Sequence, residues 1–199
     1  AGATDIGLGV TKQHRLLETI ICLEGIESLR KISLTDEGLR IGAGVKYTDA
    51  LASLNTSTPA MGELVRRIGS VQVRNSGTIG GNIANGSPVG DLPPALIALN
   101  ASLELASQKG RRTIPLDTFF IGYGEQDLRP GEYVSAVIIP EPSDALVYRV
   151  YKISKRFDQD ISSVCGAFAI ECRDNRIVSA RVASCSYTHL TLPTIHPVY

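Results

Sequence analysis

The stretch richest in chemical potential is GTIGGNIANGSPVGD, Gly77 to Asp91, with five glycines, two asparagines, a threonine and a serine in fifteen residues. Without Cβ atoms a backbone can approach a ligand closely, and successive N–H groups can surround an anion without help from lysine or arginine. A glycine-rich surface turn has the same composition, so that reading stays open beside the binding one. The spacing fits neither G-x-x-x-x-G-K-[ST] nor a G-x-G-x-x-G after a strand, which excludes P-loop and Rossmann sites. A second stretch, AGATDIG from Ala1 to Gly7, is a glycine turn leading to Thr4 or Asp5 as a helix cap. A helix start offers unpaired N–H groups and the positive end of a dipole, both suited to phosphate. The same letters also describe an ordinary helix start.

Other chemistries are poorly supplied. The three histidines are His14, His189 and His196, too few for a histidine metal centre or a Ser-His-Asp arrangement. The four cysteines, Cys22, Cys165, Cys172 and Cys185, form no C-x-x-C pair and read as reduced thiols of a cytoplasmic protein. No catalytic side chain and no metal ligand is therefore assigned. Twenty basic and twenty acidic residues balance to zero, against a nucleic-acid surface. No apolar run approaches the roughly 18 to 20 residues of a membrane span.

Several long motifs in order carry a specific resemblance. GSVQVRNSGTIGGNIANGSPVGDLPPALIALNA, beginning at Gly69, resembles the flavin-binding segment of xanthine dehydrogenase-type molybdenum hydroxylases, most like the bacterial small-subunit form. AGATDIGLGVTK at the start, FFIGYGEQDLRPGEYVSAVIIP from Phe119 and YKISKRFDQDISSVCGAF from Tyr151 follow the same family order. The resemblance implies an FAD-binding fold in two subdomains, a small α/β part and an antiparallel sheet with flanking helices, with FAD extended between them. It implies that Ala1, Gly2, Ala3, Thr4, Asp5 and Ile6 wrap the pyrophosphate. Thr78, Ile79, Gly80, Gly81 and Asn82 would form a second wall through amides and small side chains. Asp91 would accept from ribityl or sugar hydroxyls, Val134 would pack on the flavin, and Lys152 would contact the cofactor. Ile68 stands where some relatives carry an aromatic ring. Tyr123 matches a position on the nicotinamide side, and Lys155, Arg156, Asp158 and Asp160 sit in a loop near the ring.

The resemblance also implies the wider reaction. Iron–sulfur clusters on a domain of the parent chain would feed electrons to FAD, and NAD⁺ would receive them. Purine oxidation would occur at molybdopterin on a partner subunit. Two alternatives stand beside it: the flavoprotein subunit of a carbon monoxide dehydrogenase-type hydroxylase, and a non-catalytic nucleotide-binding assembly module.

The elements that position these residues follow from pattern. A short helix runs from Asp5 toward Lys12, and LETIICL, Leu17 to Leu23, reads as a strand. Leu29–Leu34 and Leu39–Ala43 make a hairpin about Asp36-Glu37-Gly38. Thr48 would cap a helix through Leu54, and Asn55–Pro59 is a polar break. After MGELVRRIG and the glycine-dense loop of 77–90, Pro93 and Pro94 open another helix. From Ser102 onward strands dominate, giving an α+β fold class. The expected divisions are a first subdomain at 1–57, truncated at its start, a second at 58–183, and a tail at 184–199. Within that tail 186–194 resembles a translated sequencing adapter.

Overall fold

The computed structural model describes residues 2–185. Ala1 and the adapter-like stretch 186–194 lie outside the described residues, as does the rest of the tail.

The α+β arrangement is present. Strand β1 (Ile32–Thr35) turns into β2 (Gly38–Gly42), with Ile32 opposite Ile41 and Thr35 opposite Gly38. Gly38 has φ +121°, and a β-carbon there would collide with the Ile139 carbonyl, so the turn requires glycine. Strands β3 (Ser102–Ser107) and β4 (Gly110–Pro115) form a second hairpin, and a small third one joins β5 (Phe120–Gly122) to β6 (Glu125–Gln126). Strand β7 (Tyr133–Ile139) lies between the first two hairpins, giving the antiparallel order β1-β2-β7-β3-β4. Being central, it is buried along its whole length after Tyr133. A second antiparallel sheet, ordered β10-β9-β8, contains β8 (Leu146–Ile153), β9 (Val164–Arg173) and β10 (Arg176–Ser184).

The helices are α1 (Ile6–Thr11), α2 (Tyr47–Ser57), α3 (Pro59–Arg66), α4 (Val71–Arg74), α5 (Ile79–Asn85) and α6 (Leu92–Ala98). Ile41, Leu103, Leu105 and Val137 from the first sheet join Leu54, Met61, Ile83 and Leu96 from the helices in one continuous core. Helix α6 packs against β9 and β10, while its Leu96 shares the core with the first sheet.

Several expectations are corrected. Leu17–Leu23 forms no strand: it finds no ladder partner among the described residues, and Ile21 is 81% exposed. Thr48 is not a cap; α2 begins one residue earlier, and the Thr48 hydroxyl donates to Asn75 Oδ1 at 2.6 Å. The polar break contracts to Thr58, because α2 runs through Ser57 and Pro59 opens α3 at once. The glycine-dense loop is in part a helix, α5, capped by Thr78 and closed by Gly86 at φ +61°. Strands from both sides of Thr58 share the first sheet, and the change of sheet falls between β7 and β8. The expected tail begins too early: Ser184 closes β10 opposite Gly166 of β9, and Cys185 N–H bonds Cys165 O at 2.9 Å.

Candidate functional site

An open cleft of about 1070 Å³ runs between the N-terminal segment, the start of α5, β7 and the β8–β9 loop. Ala3, Thr4, Asp5 and Ile6 form one wall; Thr78, Gly80, Gly81 and Asn82 form another, with Val134, Asp91 and Lys152 at its floor. Gly2 lies against the second wall: at φ +74° its α-carbon sits so near Ser76 O and Gly77 that a side chain would collide. The two segments can approach there because residue 2 has no side chain.

The two walls present different chemistry. The N–H groups of Ala3, Thr4, Asp5 and Ile6 make no hydrogen bond within the described residues, and Asp5 caps nothing with its side chain. They are therefore available to an anion, and they stand at a helix start. The α5 wall is not the amide cradle its composition suggested. Ile79 N–H donates to Val45 O at 3.0 Å, Gly80 N–H to Ala43 O at 3.0 Å, and Gly81 N–H to Thr78 Oγ1 at 3.1 Å. Asn82 N–H returns to Thr78 O. Each amide is consumed in docking and capping the helix. Ile79 itself turns into the core at 2% exposure and does not line the cleft. What this wall offers is bare glycine surface and the Asn82 side chain, whose Oδ1 is buried without a partner.

Tyr47 lines the cleft beside Asn82. Burial pushes its phenol well above the ordinary range; the Asn82 hydrogen bond works against that rise and the Asp91 charge adds to it. Tyr47 thus stays a neutral phenol, and the bond that opposes the rise is one the Asn82 side-chain amide donates to its oxygen, so Asn82 Oδ1 is left unpaired.

The floor carries a charge pair that the cleft only grazes. Lys152, on β8, is buried. Its Nζ donates to Asp91 Oδ2 at 2.7 Å, Ser162 Oγ at 2.7 Å and Asp160 O at 3.1 Å. Asp91 is free for this pairing for a local reason. It stands at the N-cap of α6, and a cap accepts from the second or third helical N–H. Here those residues are Pro93 and Pro94, which have none, and Asp91 makes no side-chain cap bond. Ser162 was not singled out in the sequence; a serine in a polar loop carries no signal of burial.

The β8–β9 loop is held from outside. Arg67, following α3, donates to Lys152 O at 2.6 Å and Phe157 O at 2.9 Å, and its guanidinium lies 5.1 Å from the Phe157 ring centre. Arg74 reaches Asp158 at 3.9 Å. Of the loop's charged residues, Arg156 and Asp160 line the cleft. Backbone N–H donation from Arg156 holds the Asp160 carboxyl below its usual range. Ile68 also lines the cleft, whereas Tyr123 is 84% exposed and stands apart from it.

The site fits a long, anionic, hydroxyl-bearing molecule. Its volume is at the upper end of ligand pockets, roughly 1,000 Å³. Unpaired amides at one end suit a pyrophosphate, and the orphaned Asn82 oxygen requires a donor. No cluster of three potential metal ligands gathers among the described residues, and none of their helices is long and apolar enough to cross a membrane.

Residues 1–142 match the family of the FAD binding domain in molybdopterin dehydrogenase, and residues 149–193 match the CO dehydrogenase flavoprotein C-terminal domain. The chain belongs to this FAD-binding family of the molybdenum hydroxylases. It is 32% identical over an aligned 191 residues to xanthine dehydrogenase of Dictyostelium discoideum, covering 85% of this chain and 14% of that protein. It is 34% identical over 166 residues to the glyceraldehyde dehydrogenase medium chain of Sulfolobus acidocaldarius, covering 82% and 58%. Its fold matches carbon monoxide dehydrogenase of Hydrogenophaga pseudoflava with a TM-score of 0.87 at 28% identity, covering 93% of this chain and 65% of that one. The chain spans less than two thirds of each of these proteins.

Proposed function

We propose that the chain is the flavin-holding part of a xanthine dehydrogenase-like oxidoreductase, which receives electrons from iron–sulfur clusters on a neighbouring domain and passes them to NAD⁺. Substrate oxidation would then occur at molybdopterin on a partner subunit, in the cytoplasm. When bound, FAD supplies a carrier able to exchange electrons with a metal cluster and a hydride with a nicotinamide.

The observation that carries the reading is the set of unpaired amides from Ala3 to Ile6, residues that line the same cleft as the α5 wall. In this reading they hold the pyrophosphate, with Ala1 and Gly2 extending the wrap. Thr78, Gly80, Gly81 and Asn82 shape the opposite wall, and Ile79 supports it from within the core. Asn82 Oδ1 and Asp91 accept from hydroxyls. Val134 and Ile68 exclude water from the apolar part of the cofactor. Lys152 places positive charge at the floor without touching the ligand through a free N–H. No side chain moves a proton; the chain's contribution is to bind and orient.

The test has two stages. FAD is titrated into the purified protein, with saturable binding and a perturbed visible spectrum expected. The bound flavin is then reduced anaerobically and mixed with NAD⁺, where reoxidation with NADH formation is expected. Absence of FAD binding would leave the assembly-module reading. Binding without NADH formation would overturn the acceptor assignment alone.

A further inference from the structure

We propose that Ser162 is a positioning residue for the cofactor, acting through Asp91 and Lys152; the proposal rests on the FAD reading above. Ser162 is 4% exposed and does not line the cleft. Its hydroxyl donates to Asp91 Oδ1 at 2.6 Å and accepts from Lys152 Nζ at 2.7 Å. The other two N–H groups of Lys152 go to Asp91 Oδ2 and Asp160 O. An ammonium has three donors and no acceptor, so Lys152 has none left for a ligand. Asp91 accepts from Lys152 on Oδ2 and from Ser162 and, at 4.0 Å, Cys185 Sγ on Oδ1. A carboxylate has about four acceptor positions, so Oδ2 can still accept from the cleft.

The direction in which Asp91 accepts is set by Ser162. One carboxylate oxygen is tied to β8 through Lys152 and the other to the end of the β8–β9 loop through the short bond from the Ser162 hydroxyl, with the Cys185 thiol on the same oxygen at 4.0 Å. Among the described residues Asp91, Lys152 and Ser162 are three of six buried polar or charged side chains, so buried polarity concentrates behind this floor. Such a group is stable only when each member is satisfied. Removing the hydroxyl leaves one Lys152 N–H and one Asp91 oxygen without that partner. The carboxylate can then rotate onto the ammonium and away from the cleft.

The experiment measures FAD affinity by flavin fluorescence on the flavin-stripped protein, for wild type, Ser162→Ala, Ser162→Thr, Asp91→Asn and the Ser162→Ala/Asp91→Asn double variant. Ser162→Ala is expected to weaken FAD about tenfold, the size of one hydrogen bond to a charged group. Ser162→Thr keeps the hydroxyl and is expected to retain most of the affinity. In the Asp91→Asn background, Ser162→Ala is expected to add less than about twofold, because coupled residues are not additive. A merely structural role would instead give losses that multiply in full. Wild-type affinity in Ser162→Ala, or full additivity with Asp91→Asn, overturns the proposal. If the alanine variant does not fold, Ser162→Cys, of similar size and a weak donor, takes its place with the same expected loss. Wild-type protein that binds no FAD overturns the FAD reading and this proposal with it, an outcome distinct from a wild type that binds and a variant that binds equally well.

Discussion

Gly80 lies against Ala43 so closely that a β-carbon on Gly80 would collide with both the side chain and the backbone of Ala43. The contact seats the first turn of α5 on the end of β2, where Gly80 N–H meets Ala43 O. One glycine of the pair is therefore bare for packing, and its neighbour Gly81 is exposed in the cleft. Gly80→Ala is expected to cost about 1–3 kcal/mol by overpacking. Gly81→Ala should unfold at or above the wild-type urea midpoint, since alanine favours a helix over glycine by roughly 1 kcal/mol. Equal midpoints for Gly80→Ala and wild type would show that α5 shifts freely on the sheet.

Lys152 and Asp91 should behave as a buried pair rather than as two independent ligands. Their side chains are 2% and 8% exposed. Removing one member strands the other, at about 3–5 kcal/mol. Lys152→Met is expected to lose that much in denaturant unfolding, and Lys152→Met/Asp91→Leu clearly less. A double variant as unstable as the sum of both singles would refute the pairing.

The Arg112 guanidinium gathers Glu132 at 2.8 Å and Asp127 at 2.8 Å, tying β4 to the segment before β7. Hydrogen bonding to Arg112 holds the Glu132 carboxyl down at about 2, from an ordinary 4.5. Its folded value lies below the unfolded one, so the contribution is present above about pH 4.5 and is lost as pH falls toward about 2. Melting temperature against pH should drop across that window, and Arg112→Met should flatten the drop. An unchanged acid slope in Arg112→Met would dissociate this cluster from acid stability.

Thr78 caps α5 through its hydroxyl, accepting from Gly81 N–H. Thr78→Val keeps the shape and loses the cap, so about 1 kcal/mol should be lost. Thr78→Ser should recover most of it. Equal stability of the valine variant would mean that another group satisfies Gly81.

Arg67 holds the β8–β9 loop by main-chain contacts at Lys152 and Phe157. Arg67→Ala should speed tryptic cleavage after Lys155 and Arg156 while the rest of the fold keeps its melting temperature. Unchanged cleavage would show that Arg74 and Asp158 suffice.

Local pattern determined much of this molecule. The hairpin about Asp36-Glu37, the helix opened by Pro93-Pro94 and the strands from Ser102 onward follow from periodicity and turn residues, which act over a few positions. The motif order pointed to the cleft walls at Ala3–Ile6 and Gly77–Asp91. Even the freedom of Asp91 is written locally, because the prolines after it cannot be capped. What only the tertiary structure decided concerns partners distant in sequence. Leu17–Leu23 has strand composition but no neighbour to pair with among the described residues. The amides of Ile79 and Gly80 go to Val45 and Ala43, more than thirty positions earlier, and so are lost to any ligand. Lys152 exhausts its donors on Asp91, Ser162 and Asp160, which folding brings together from α6 and the two ends of a loop. Composition tells which groups can bond; only the packed chain decides which bonds are already made.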